Sequence, residues 1–116
     1  MLGVARTALS SVFTPVSYDV FVSPSSLRVR SSNGGTSSPL ATTNINGGVG
    51  PFTYQWTIQG DDVSISSPTS ESTSFSSSGY NEEKQALATV TVTDTGNGSA
   101  QEQGSINLNF IFGTLV

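Results

Sequence analysis

The chain has 116 residues, a formal net charge of −4, and neither cysteine nor histidine. This length fits one domain whose core is large enough to be stable without added cross-links. The missing residue types exclude disulfides, thiolate zinc sites, imidazole–metal sites and both Ser-His and Cys-His catalysis.

Charged residues make up 10% of the chain, and Ser, Thr, Asn, Gln and Gly supply most of its polarity. Ordinary soluble domains are ~25% charged, and the lower value is common in extracellular or particle-surface β proteins. The cations are Arg6, Arg28, Arg30 and Lys84, too few to neutralise a row of phosphates, so we expect no nucleic-acid partner. No apolar run approaches the ~18 residues that cross a bilayer, so we expect no membrane partner either.

Residues 1–17 contain irregularly spaced apolar side chains, and we interpret them as an N-terminal arm preceding a domain of residues 18–116. The segment is a poor signal peptide, because its positive charge, Arg6, interrupts the apolar stretch instead of preceding it. One interpretation makes the arm a strand extension or a frayed end. The other makes it a segment that packs on a neighbouring subunit or particle. The contact residues would then be Leu2, Val4, Arg6, Leu9, Val12 and Phe13.

Two short strand patterns follow the arm. Tyr18, Val20 and Val22 alternate with Asp19 and Phe21, and apolar and charged residues alternate over residues 27–30. The second run places Arg28 and Arg30 on its outer side, which is typical of an edge strand whose charges discourage pairing with another sheet. An alternative is that these arginines contact an acidic partner. Residues 31–39 are rich in Gly and Ser and predict an exposed loop.

The clearest strand pattern follows the turn at Gly50-Pro51. Residues 52–59 are apolar at every second position, and the apolar set is Phe52, Tyr54, Trp56 and Ile58. A period of two predicts a strand with one buried side. Aromatic residues that alternate with amides can also stack on sugars, but the shared phase of these four residues favours packing in the core.

The C-terminal part predicts a long hairpin. Residues 85–93 and 105–112 both alternate, and Asp94 to Gly98 is rich in residues that suit a tight turn. Weaker strand patterns occupy residues 40–46, 63–65 and 72–75, the last with Phe75 as the expected inward anchor. The fold class predicted is therefore all-β, a two-sheet antiparallel sandwich of about seven strands with Greek-key connections.

Acidic residues are the remaining candidates for chemistry. Asp61 and Asp62 are adjacent on one turn and Asp94 lies on another, so their convergence would make a calcium site. Because the spacing lacks an Asp-x-Asp-x-Asp-Gly loop and Asp is common in turns, we favour turn capping and expect no metal or cofactor. Glu82-Glu83-Lys84 is typical of a solvated loop, and paired-carboxylate catalysis requires a cleft, so we expect no enzyme.

Part of the chain resembles a known family. Gly47-Gly48 followed by Gly50-Pro51-Phe52-Thr53-Tyr54-Gln55-Trp56, with Val90-Thr91-Val92-Thr93-Asp94 before Gly96-Asn97-Gly98, is similar to the immunoglobulin-like (Ig-like) sandwich of polycystic-kidney-disease repeats. Relatives of these repeats occur in surface proteins and bacteriophage virions. The resemblance covers residues 18–112 and implies that Trp56 is the core tryptophan. After Trp56 the chain departs from the repeat's Asp-Phe-Gly-Asp-Gly, so the similarity is to the broader Ig-like class.

Resemblance and elimination together favour a structural accessory protein on the surface of a phage virion. The expected role is capsid decoration or cementing through the arm and through the sheet edge that carries Arg28 and Arg30. The expected partner is the major capsid protein, another virion protein or a second copy of the chain. The alternative is an adhesion or carbohydrate-binding Ig-like module of a tail or bacterial surface protein, located extracellularly or at the cell surface, that binds a host-surface glycan.

Overall fold

The computed structural model describes residues 14–113, and within them the chain is all-β, as predicted. No helix there is long and apolar enough to cross a membrane. The strands are β1 (Tyr18–Ser23), β2 (Ser26–Ser31), β3 (Gly34–Ser37), β4 (Ala41–Gly47), β5 (Phe52–Gly60), β6 (Ser64–Ile65), β7 (Ser72–Thr73), β8 (Phe75–Gly79), β9 (Glu83–Asp94) and β10 (Ala100–Phe112).

The strands form three hydrogen-bonded sheets, in an arrangement compatible with a β-sandwich. Their orders are β1-β4-β7, β2-β10-β9-β5 and β3-β8-β6. Every pair but one is antiparallel, and the exception is β2, which runs parallel to β10. The prediction of purely antiparallel pairing is therefore wrong at β2, and the two predicted sheets are three.

The part of the chain that the structure describes has ten strands, where about seven were predicted. Residues 31–39 are largely exposed, as predicted, but they are not only a loop, since β3 lies within them and pairs with β8 from Gly34↔Gly79 to Ser37↔Ser76. Both strands consist almost entirely of Gly, Ser and Thr. They are joined through backbone hydrogen bonds, and they carry no alternation of apolar and polar side chains by which sequence could detect them.

The alternation predicted for the longer strands is confirmed. On β5 the side chains of Phe52, Tyr54, Trp56 and Ile58 turn inward and those between them are exposed. The inward residues of β9 and β10 are buried, namely Ala86, Ala88, Val90, Val92, Ile106, Leu108, Phe110 and Phe112. These strands therefore present one face to a shared core and the other to solvent.

Trp56 lies at the centre of that core and is 1% exposed. Its ring packs edge-on against Phe75, with ring centroids 5.7 Å apart and planes at 75°. The indole Nε1–H donates to the carbonyl of Ser70 at 2.8 Å, and the backbone N–H of Trp56 donates to the carbonyl of Pro68 at 2.7 Å. One residue thus fills the core, satisfies its own polar group and holds the segment before β7 against β5.

Replacing this side chain should be costly. We expect Trp56→Ala to lower the free energy of unfolding by about 3–5 kcal/mol, because it leaves a cavity and removes the hydrogen-bond donor of the Ser70 carbonyl. Urea unfolding followed by circular dichroism measures the change. Thr53→Val on the exposed face of the same strand is the matched control and should change it by less than ~0.5 kcal/mol. A loss below ~1 kcal/mol for Trp56→Ala would contradict the central position of the indole.

Candidate functional site

A buried carboxylate organises one end of the molecule. Asp94, the last residue of β9, is 0% exposed. Its Oδ2 accepts the backbone N–H of Val49 at 2.9 Å, and its Oδ1 accepts that of Gly50 at 2.7 Å. Gly48 lies so close that an added Cβ would be 2.8 Å from Oδ2, and its φ of +82° also favours glycine. Asp94 therefore caps the turn between β4 and β5, the role favoured from the sequence.

Hydrogen bonds keep this carboxylate ionised despite its burial. Burial alone raises the pKa of Asp94. Hydrogen bonds from the N–H groups of Val49, Gly50 and Gly96 and from the side chain of Asn97 lower it by a larger amount, so the net pKa lies below its usual value. Such a group stabilises the fold above its unfolded-state pKa. That contribution is lost as the pH falls through the lower folded-state pKa.

The adjacent turn fixes where the chain enters the domain. Asn97 is 1% exposed, and its amide makes two hydrogen bonds to the backbone of Val16. The Val16 N–H donates to Oδ1 at 2.8 Å, while Nδ2 donates to the Val16 carbonyl at 2.7 Å. The hydroxyl of Tyr18 lies 3.0 Å from the Val92 carbonyl and 2.5 Å from the Ala100 carbonyl. The start of β1 is therefore tied to the β9–β10 hairpin.

The aspartates do not converge on a metal site. Asp94 pairs with the first residue of β5, whereas Asp61 and Asp62 follow its last residue, Gly60. At ~3.3 Å per residue, the length of β5 separates them by more than ~25 Å. Asp61 Oδ2 instead accepts the N–H of Gln85 at 2.8 Å. This separation contradicts a calcium site that joins Asp94 to Asp61 and Asp62, and within residues 14–113 His, Cys, Asp and Glu form no group of three or more.

A groove opens on one flank, where the edges of β4 and β5 face each other. Its volume is about 580 Å³, and its walls are Phe21, Thr43, Asn44, Ile45, Asn46, Phe52, Tyr54 and Glu71. We call this the flank groove. It exists because β7 has only two residues and pairs with β4 only at Ala41 and Thr42, which leaves the edge beyond Thr43 uncovered.

Aromatic and neutral polar groups share the walls of the flank groove. Phe21 is 56% exposed, whereas Phe52 and Tyr54 are half-buried. The ring of Phe52 packs against the ring of Tyr18, and the two ring centroids are 5.8 Å apart. The pKa of the Tyr54 hydroxyl is raised by burial and by the negative charge of Glu71, so this hydroxyl keeps its proton at neutral pH.

One buried polar atom in this region lacks a partner. Thr43 is 2% exposed, and its Oγ1 makes no hydrogen bond to any described residue. The backbone N–H of Thr43 does have a partner, the carbonyl of Glu71 at 3.0 Å. An unsatisfied buried hydroxyl is unfavourable by ~1–3 kcal/mol, and such groups are uncommon in folded proteins.

The two arginines predicted as contact residues lie together on a true sheet edge. β2 is the outer strand of its sheet, and Arg28 and Arg30 are exposed on the same outward face. Arg28 borders a depression of about 490 Å³ that also includes Leu87 and Asn109. The pKa of Glu83 is lowered by hydrogen bonds from the side chains of Gln85 and Asn109 and, more weakly, by the charge of Arg28.

The other predicted contact residues lie outside the described residues: Leu2, Val4, Arg6, Leu9, Val12 and Phe13. Conversely, sequence reasoning did not select Phe21, Asn44 or Glu71. Of these three, only Phe21 could have been selected from the sequence, because it occupies an outward position of β1 between the inward residues Val20 and Val22. A large aromatic on the outward face of an edge strand suggests a surface role.

Comparison of the chain with protein-family models, with curated proteins and with solved structures finds no match. Its function therefore has to be argued from the described surfaces.

We expect Asp94→Asn to destabilise the domain at pH 7, because an amide NH₂ would face an N–H donor where the carboxylate offers an acceptor. The variant should also lose part of the acid-induced fall in stability, which in the parent chain begins as the pH drops below the ordinary aspartate pKa of ~3.9. Thermal midpoints between pH 7 and pH 2 measure both effects. Asp62→Asn, at an exposed position, is the control, and equal pH profiles for Asp94→Asn and the parent chain would contradict the assigned role of Asp94.

Proposed function

We propose that this chain is an Ig-like, non-enzymatic structural protein of a bacteriophage particle, which decorates or cements the capsid through its N-terminal arm and the β2 edge. The partner in this proposal is the major capsid protein or another virion protein. The same arm also offers a route to self-association. The location that follows is the particle surface.

The order of the strands supports the Ig-like part of the proposal. Ig-like sandwiches place the first, second and fifth strands in one sheet and the third, sixth and seventh in the other. Here β1-β4-β7 corresponds to the first set and β5-β9-β10 to the second, with the returning connections of a Greek key. In this alignment β2 is the part of the first strand that crosses to the opposite sheet, and β3, β6 and β8 are additions.

The observation that carries the functional proposal is the attachment of Val16 to Asn97. Two hydrogen bonds to a buried amide fix the backbone of Val16, near the end of the arm, so a contact made by residues 1–13 would be transmitted to a rigid point of the domain. A tether that begins in a rigid position loses less entropy on binding than one that begins in a flexible loop. This is the property that a cementing arm requires.

The β2 edge supplies the second contact of the proposal. Tyr18 bonds to the start of β10 at Ala100, whereas Arg28 pairs with Asn109 near its end. At ~3.3 Å per residue, these positions are separated by ~30 Å. A partner that engages both must therefore present an extended surface, as a shell of repeating subunits does. The two arginines favour an acidic patch on that surface.

The outward face of the four-stranded sheet suits exposure to solvent. Its side chains are mainly Thr, Gln and Ser, and they bond to one another across strands. Gln101 donates to Thr93 at 3.1 Å and Gln103 donates to Thr91 at 3.0 Å. Such pairs stabilise a sheet while leaving no apolar patch for unspecific association.

Co-sedimentation tests this function. Particles made from the parent genome without this reading frame are mixed with the purified chain and pelleted, and we expect the chain to pellet with them. Removal of residues 1–13 should abolish binding while leaving the unfolding midpoint unchanged, because this truncation retains Val16 and its bonds to Asn97.

Charge reversal tests the β2 edge separately. The double variant Arg28→Glu, Arg30→Glu should weaken co-sedimentation at least ~tenfold, since it turns attraction to an acidic patch into repulsion. Lys84→Gln, which removes a positive charge outside β2, is the control. Absence of the parent chain from the pellet, or equal binding by the truncated chain, would overturn the proposal.

A further inference from the structure

We infer that the free edge of β2 binds an acidic segment of its virion partner as an added antiparallel strand, with carboxylates at alternate positions opposite Arg28 and Arg30. This inference deepens the role proposed above and rests on it. The structural role by itself requires only an acidic patch on the partner. The backbone of β2 further specifies that the acidic segment is extended and how its charges are spaced.

The hydrogen-bond register of β2 leaves three of its residues directed away from the sheet. β2 runs parallel to β10, and the N–H of Asn107 donates to the carbonyl of Ser25 at 3.2 Å. Backbone groups of successive strand residues point to opposite sides, so those of the odd-numbered residues of β2 point to β10. The N–H and C=O groups of Ser26, Arg28 and Arg30 therefore point outward from the edge.

No described strand covers this edge. β2 is the outermost strand of its sheet, and no backbone hydrogen bond between described residues reaches the outward groups of Ser26, Arg28 or Arg30. The side chains of all three residues are exposed. An unpaired row of main-chain donors and acceptors is a template for strand addition, which draws its affinity from main-chain hydrogen bonds. By contrast, the edge of β5 is interrupted at Trp56, whose N–H donates to the carbonyl of Pro68.

The two arginines select the charge of the added strand. Arg28 and Arg30 are two residues apart, so their side chains leave the same face of the sheet about 7 Å from each other along β2. In an antiparallel pair, directly opposite residues are neighbours on one face, and opposite charges there are favourable. Carboxylates at positions i and i+2 of an added strand would therefore contact both guanidinium groups, each of which can bind a carboxylate in a bidentate manner.

The same charges disfavour a second copy of β2 as the occupant. A symmetric antiparallel pair centred on residue 28, 29 or 30 places an arginine directly opposite an arginine, which is destabilising. The arginines thus prevent self-pairing, the edge-strand role expected from the sequence, and at the same time favour an acidic partner. Residues 1–13 do not fit the site either, since they contain no Asp or Glu.

An acid on the same face, Glu83, lies too far away to repel the added strand. Glu83 is on β9, where it pairs with Ile111 of β10, and Ile111 in turn pairs with Arg30. An added strand would lie beyond β2, three strand spacings from β9, which is ~14 Å at ~4.8 Å per spacing. This distance exceeds the Debye length of ~8 Å at physiological salt, so the repulsion is largely screened.

Fluorescence anisotropy with synthetic peptides tests the inference on the full chain. The probe is labelled Thr-Glu-Val-Glu-Val-Glu-Thr, and the charge control is Thr-Lys-Val-Lys-Val-Lys-Thr. We expect saturable binding of the acidic peptide and no binding of the lysine peptide. The double variant Arg28→Glu, Arg30→Glu should reverse this preference, whereas Lys84→Gln, outside β2, should bind as the parent chain does. Both variants should keep the parent unfolding midpoint.

N-methylated peptides separate strand addition from simple charge attraction. In an antiparallel pair, the residues opposite Arg28 and Arg30 direct their own N–H groups at β2. Methylation of two glutamate nitrogens of the acidic peptide should therefore weaken binding by about thirtyfold, the equivalent of two hydrogen bonds. Methylation of the two valine nitrogens is the matched control and should change binding little, because those N–H groups point away from β2.

Hydrogen exchange locates the contact on the chain. The amides of Arg28 and Arg30 should exchange rapidly in the free protein and at least ~tenfold more slowly when the acidic peptide is saturating. The amide of Val29, which the register directs at β10, is the internal control and should be protected in both states.

The inference is overturned if the acidic peptide does not bind, if the lysine peptide binds equally well, or if the two methylated peptides bind alike. These results differ from failure of the structural role. Co-sedimentation that depends on Arg28 and Arg30, without peptide binding, would keep the structural role and reject the added strand. Peptide binding with the expected methylation pattern, without co-sedimentation, would reject the virion role and keep the strand site.

Discussion

The structure depends on a buried carboxylate that, among residues 14–113, is stabilised by hydrogen-bond donors and by no cation. Removing an ionised group from water is costly, and Asp94 is kept charged by backbone N–H groups of two turns and by the Asn97 amide. Each donor comes from a segment that would otherwise be free to move. The compensation therefore requires the β4–β5 turn and the β9–β10 turn to adopt one shared conformation.

The shared conformation of these two turns also positions one wall of the flank groove and the attachment point of the arm. Phe52 begins β5 immediately after the capped turn and forms one wall of the flank groove, while its ring rests on Tyr18. Asn97 bonds to Asp94 and also to Val16, which lies near the end of the arm. Asp94 and Asn97 thus position an aromatic wall of the groove and the attachment point of the arm, although neither Asp94 nor Asn97 is itself exposed. A small all-β domain without disulfides gains rigidity from such polar networks as well as from its core.

The sequence predicted those parts of the fold in which side chains carry the information. β5, β9 and β10 bury alternate residues, so period-two patterns located them and placed Trp56 and Phe75 in the core. β3 and β8 are held by backbone bonds between Gly and Ser residues and left no such pattern. The parallel pairing of β2 with β10 depends on tertiary packing, which a local pattern does not encode. Turn capping by Asp94 was predictable from its residue type, but its partners Val49 and Gly50 were 44 or more residues away.

The flank groove lay beyond sequence reasoning for a related reason. Its walls come from four separate stretches, and the cause of its opening is the shortness of β7, which exposes the β4 edge beyond Thr43. The period-two rule assigned Tyr54 to the core because it shares the phase of Trp56. That rule describes which way a side chain points, and whether an opposing strand covers it is decided elsewhere in the chain. The segment around Pro68 and Ser70 packs over Trp56 and buries it. Tyr54 lies two residues nearer the β4–β5 turn, where this segment no longer covers β5. The inward face of β5 is therefore core at Trp56 and the wall of an open groove at Tyr54.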